Sequence, residues 1–90
     1  MTNQSAQHRV EVVAIIVNNP DEVYDRLNTI LHDYSSIIIG RLGLPYRERR
    51  LSIISLIVDG STDEIGALTG KLGQLPQVTV KTAFAKLIEK

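Results

Sequence analysis

The sequence predicts an α+β domain of order strand-helix-strand-strand-helix-strand, a four-stranded antiparallel sheet carrying two helices on one face. Three observations carry this. Two runs rich in β-branched residues, HRVEVVAIIV at 8–17 and LSIISLIVD at 51–59, are each followed by a stretch of helical periodicity. The connection between the second and third strands, roughly seven residues, is too short for a helical crossover, so those strands must pair as a hairpin.

Taken in order, strand one runs over His8–Val17 and ends at Asn18-Asn19-Pro20. Pro20 suits a first helical position, Asn19 is placed to cap it, and Asp21 and Glu22 favour the positive end of a helix. Val23, Leu27, Ile30, Leu31 and Tyr34 then form one apolar stripe, which predicts helix one from Pro20 to about Tyr34. Ser36–Gly43 is the second strand and Leu51–Asp59 the third, with Pro45 in the turn between them. Ser61 and Glu64 have the spacing of a capping box, and Ile65, Leu68, Leu72 and Leu75 mark the buried stripe of helix two. Gly73 is its stop; after Pro76, Val78, Val80, Thr82 and Phe84 alternate as strand four. Right-handed crossovers then dictate the sheet order 4-1-3-2, the ferredoxin-like arrangement. The domain should occupy residues 8–84, with 1–7 a flexible N-terminal tail and 85–90 a short charged C-terminal tail.

Composition narrows the function classes. At 90 residues there is room for one core, and 43% hydrophobic with 22% charged residues is ordinary for a globular protein. No apolar run is long enough to span a bilayer and the polar start does not read as a signal peptide, so a cytoplasmic protein without membrane attachment is expected. There is no cysteine, which removes disulfides, thiolate nucleophiles and sulfur-based zinc sites and leaves His8 and His32 as the imidazoles. Ten basic residues balance ten acidic ones, giving no general field for nucleic acid or anionic lipid. Direct nucleic-acid binding is further disfavoured because the central strands carry no aromatic residue on which a base could stack.

Strands one and three are apolar on both faces, whereas a sheet covered on one side should alternate. With both helices already used, a second copy of the chain is the economical cover, which predicts a homodimer or homotetramer; the bland alternative is a patchy surface. The most unusual segment is RLGLPYRERR at 41–50, which holds four of the six arginines against Glu48 alone. Such guanidinium forks and a tyrosine can grip a phosphate, a carboxylate or an acidic partner, or can simply solvate a hairpin edge. The turns Asn18-Asn19-Pro20 and Asp59-Gly60-Ser61 open helices, where backbone N–H groups can hold an anion or be satisfied by capping. The candidate ligand-binding set is therefore Asn18, Asn19, Arg41, Tyr46, Arg47 and Arg49. The acidic residues of both first helical turns are sufficiently explained as dipole partners, and His32 as a complement to the end of helix one. Gly66 and Gly70 on helix two read as allowing close packing, since a phosphate cradle needs its glycines ahead of the helix. No hydroxyl or amine sits beside an activating base, so no catalytic residue, metal site or cofactor is expected.

Three segments also carry a resemblance: Ile39-Gly40-Arg41, Pro45-Tyr46-Arg47-Glu48-Arg49, and Asp59-Gly60 through Ala67-Leu68-Thr69-Gly70-Lys71-Leu72-Gly73. Within Ile38–Lys86 they make the chain similar to the small iron-only hydrogenase system regulators, and strand one and helix one fit as well. The resemblance implies an ACT-like ferredoxin-like fold, self-association and a regulatory link to hydrogenase production. ACT domains often carry an Asp-x-Pro-Gly type turn after strand one; here Asp21 stands where the glycine would be, which argues against amino-acid binding in their usual manner. The sensory domain of nickel-responsive repressors is similar in topology, but its site of several histidines and a cysteine has no counterpart here. The expectation is a regulatory binding module for a small anionic effector or a protein partner; the alternative is a structural adaptor that binds no small molecule.

Overall fold

The computed structural model describes residues 8–87, so the expected tail at 1–7 and the last three residues of the expected tail at 85–90 lie outside the described residues. The strands are β1 (His8–Asn18), β2 (Ile38–Tyr46), β3 (Leu51–Ser61) and β4 (Val78–Phe84); the helices are α1 (Tyr24–Asp33) and α2 (Thr62–Gly73). The sheet is antiparallel throughout, in the order β2-β3-β1-β4. This is the ferredoxin-like order expected from the sequence, read from the opposite edge. β1 and β3 are central, and pair along their whole lengths from His8↔Ser61 to Asn18↔Leu51.

One face of the sheet makes the core. Val13, Ile15 and Val17 of β1 and Ile54, Leu56 and Val58 of β3 are buried against Leu27 and Leu31 of α1 and Ile65, Leu68 and Leu72 of α2. The alternation of a strand therefore sends Val10, Val12, Ala14 and Ile16 to the opposite, uncovered face. α2 starts as its spacing predicts: the Glu64 N–H donates to Ser61 Oγ at 3.0 Å, and Glu64 Oε1 accepts from the Ser61 N–H at 2.9 Å.

Three local expectations need correction. Helix one does not begin at Pro20 under an Asn19 cap. Asn19 is left-handed (φ 49°, ψ 63°) and its side chain makes no capping bond, Pro20–Glu22 form a 3-10 turn, and α1 starts only at Tyr24. β2 begins at Ile38 rather than Ser36, because Ser35–Ile37 form another 3-10 turn, and it runs on to Tyr46. Pro45 is thus in the strand opposite Ser52; an edge strand tolerates a residue without an N–H. The hairpin turns instead through Arg47–Arg49 and a left-handed Arg50 (φ 55°). Finally, a Cβ added at Gly66 or Gly70 would meet nothing within 4 Å, so neither glycine serves close packing within this chain.

Candidate functional site

The end of β1, the tip of the β2–β3 hairpin and the entry to β4 meet at one end of the sheet. The Asn18 N–H donates to the Gln77 carbonyl and the Asn19 N–H to the Arg50 carbonyl, each at 2.9 Å. Asn19 can adopt its left-handed conformation more cheaply than most residues, because a short amide side chain is tolerated there. That conformation sets Pro20–Glu22 against the hairpin, leaving an open cleft of about 690 Å³ between them.

Asn19 to Glu22 and Tyr24 form one wall of the cleft; Pro45, Arg47 and Arg50 form the other, and Ser52 also lines it. Ser52 is 7% exposed and lies on the core side of β3, in register with Ile54, Leu56 and Val58. Its hydroxyl makes no hydrogen bond to another described residue. Because Ser52 lines the open cleft, its hydroxyl can bond water or a ligand there. Arg47 and Arg50 line the cleft together with Asp21 and Glu22, and Glu22 Oε1 accepts from Gln77 Nε2 at 2.9 Å. The cleft is therefore close to neutral by formal charge. Selection within it must come from directed contacts rather than from net field.

Of the six residues singled out in the sequence, the structure brings Asn19 and Arg47 together here. Asn18 contributes through its backbone bond, and its exposed side chain does not line the cleft. Arg41 lies elsewhere, on the core side of edge strand β2, where its Nη2 donates to Asn28 Oδ1 of α1 at 3.2 Å. With His32 and Ser35 it borders a separate hollow of about 420 Å³. Tyr46 pairs with Leu51 on the uncovered face, and Arg49, in the hairpin turn, does not line the cleft. Arg50 and Ser52 were missed. The available signal for Ser52 was a single hydroxyl in a strand position whose neighbours at i+2, i+4 and i+6 are all apolar.

The uncovered face is the second notable surface. Across it run the rows Gly40–Ile57–Val12 and Leu44–Ile53–Ile16, with Leu42 and Tyr46 on β2. Among the described residues, no three His, Asp or Glu side chains group to hold a metal ion, and no helix is long and apolar enough to cross a membrane.

With this geometry in hand, comparison with known proteins places the chain. A family model described as "TM1266-like: Iron-only hydrogenase system regulator, putative" matches residues 9–82. The structure of an uncharacterised protein, TM1266 from Thermotoga maritima, superposes with a TM-score of 0.84 at 40% identity, over 88% of this chain and 99% of that one. Two remote matches show the fold alone. The C-terminal domain of the MgtC protein from Mycobacterium tuberculosis has a TM-score of 0.62 at 14% identity, over 88% of this chain and 89% of that domain. A formyltetrahydrofolate deformylase from Pseudomonas putida has a TM-score of 0.60 at 7% identity; the match covers 84% of this chain but 29% of the enzyme. No curated protein matches. The family model and the Thermotoga structure together cover nearly the whole ferredoxin-like domain, and the chain belongs to the TM1266-like family.

Proposed function

We propose that this chain is a non-catalytic regulatory module of the cytoplasm whose cleft at the hairpin tip holds a small anionic effector, and that it acts in the iron-only hydrogenase system. The observation that supports the reading is the placement of Arg47 and Arg50 around an open cleft with the unpartnered Ser52 hydroxyl in its wall. Guanidinium groups bond carboxylate or phosphate oxygens in pairs, and the hydroxyl supplies one more directed bond. The same lining speaks against nucleophilic chemistry at Ser52, since none of the residues around the cleft is a histidine or lysine that could activate it. The regulatory description of the family is in keeping with binding rather than turnover.

A thermal-shift screen with phosphate, citrate and small dicarboxylates tests this directly. An anion at about a hundred times its dissociation constant should stabilise the fold by about 2.7 kcal/mol. Arg47→Ala and Arg50→Ala should each reduce that shift, while Arg41→Ala should leave it. An equal shift in all three variants would remove the cleft from the proposal, and a screen in which no anion acts would favour the adaptor reading instead.

A further inference from the structure

The two edge strands of the sheet differ in their fitness to take on another strand. β2 carries Pro45 and a shift in register between Ile38 and Gly40, and each interrupts a row of pairing groups. β4 contains no proline and pairs with β1 without a shift from Val78 to Phe84. The Asn18 N–H donates to the Gln77 carbonyl, which fixes the phase of that ladder. Thr79, Lys81 and Ala83 therefore bond to β1, while Val78, Val80, Thr82 and Phe84 turn their N–H and C=O groups to the open edge.

Alongside this edge runs a groove of about 660 Å³ between β4 and α2. A Cβ added at Gly66, Gly70 or Gly73 on its far wall would meet nothing within 4 Å, so the space over a further strand is open. We infer that β4 takes an extended segment of a partner protein as an added strand, one in which apolar residues alternate with acidic ones. Strand addition of this kind draws affinity from main-chain hydrogen bonds and specificity from alternate side chains.

Charge selects the occupant. Half of the added side chains face the helix side, where the groove is lined by glycines, Thr69, Val78, Val80 and Thr82, an uncharged surface suited to apolar residues. The other half lie beside Thr79 and Lys81 on the opposite face. Lys81 is exposed and has no ion-pair partner among the described residues, so an acidic residue across from it is favoured and a basic one disfavoured. The same lysine disfavours a second copy of this chain. Two β4 strands overlapping antiparallel along their whole length, in phase with the outward groups, bring the two Lys81 side chains directly opposite each other. Residues 1–7 carry no Asp or Glu and so do not supply the pattern.

Two blocked peptides as long as β4, seven residues, test this by NMR titration of the labelled protein; one alternates valine with glutamate and the other valine with lysine. The glutamate peptide should bind about fivefold more tightly, and Lys81→Glu should reverse that preference. Its binding should slow amide exchange at Val78, Val80, Thr82 and Phe84 and leave β2 unaltered. Thr82→Pro removes one outward N–H but no bond to β1, and should abolish binding. Should that variant fail to fold, N-methylation of the peptide at its pairing positions makes the same test on the unaltered protein. The cleft and its anions enter none of these measurements, so they stand apart from the thermal-shift screen. Absence of binding, equal affinity for the two peptides, or protection at β2 instead of β4 would overturn the inference.

Discussion

Two strand-to-helix junctions that look alike as sequence, Asn19-Pro20-Asp21-Glu22 and Ser61-Thr62-Asp63-Glu64, are held together by different physics. At the second, Ser61 and Glu64 satisfy each other's N–H groups, and α2 begins at once. At the first, Asn19 turns left-handed and no side chain caps the helix; α1 starts behind Val23, which is 2% exposed. That junction is fastened by burial of Val23 and by backbone bonds to Gln77 and Arg50. A self-contained polar cap consumes its own polar groups. A junction held by tertiary contacts leaves Asn19 and Asp21 facing a cleft, where they are available to a ligand.

The largest effect that sharpens this contrast is expected at Val23. Val23→Ala should cost about 2 kcal/mol, since burial of a valine contributes roughly 1.5–3 kcal/mol and the surrounding structure only partly closes the gap. Val23→Ser should recover little of it. A serine cap is worth about 1 kcal/mol, less than the apolar burial it replaces. Urea denaturation of the three proteins checks the order; a Val23→Ser variant as stable as the wild type would mean that α1 is limited by capping after all.

Next in size is the polar cap itself. Ser61→Ala should destabilise by about 1 kcal/mol, a loss within the usual range for an N-cap. Asn19→Ala should also cost about 1 kcal/mol but for another reason, the steric penalty of a left-handed conformation with a Cβ and no amide to offset it. The two causes separate with glycine. Asn19→Gly should match or exceed the wild type in thermal stability, because glycine adopts φ 49° freely. A loss at Asn19→Gly as large as at Ser61→Ala would show that the Asn19 side chain carries a contact of its own.

This contrast also explains what could be read from the chain. The capping box was legible because it is local: two residues three apart satisfy each other without help from the rest of the fold. Sheet order was legible because the most continuously apolar strands must be central. The start of α1 was not, since a proline, an asparagine and two acids fit a helix entry equally whether the first turn is α or 3-10, and the deciding bonds come from Gln77 and Arg50, distant in sequence. The candidate site was half legible for a related reason. The segment 41–50 is contiguous in sequence, yet it includes part of an edge strand, and the period of two sends Arg41 to the helix side and Tyr46 to the open side. Arg47 and Arg50 remain together because the turn, not the strand, positions them.

The smallest expected effect is a pH dependence confined to the capped junction. The Ser61 N–H, and after it the Ser61 hydroxyl, hold the Glu64 carboxyl below its ordinary value of 4.5, with a further contribution from the charge of His8. The folded state thus binds this proton more weakly than the unfolded chain does. The resulting stability is present above pH 4.5 and is lost as pH falls through that value toward the lowered folded one. Glu64 is exposed, so salt should shrink the effect. Glu64→Gln keeps an acceptor for the Ser61 N–H but does not titrate, so the wild type should be the more stable near pH 6 and lose that advantage near pH 3. Parallel stability curves for the two proteins would show that the carboxylate charge contributes nothing to the cap. Asn19 has no ionisable group, so Asn19→Gly should give a curve parallel to that of the wild type over the same range, and a divergence there would erase the distinction between the two junctions.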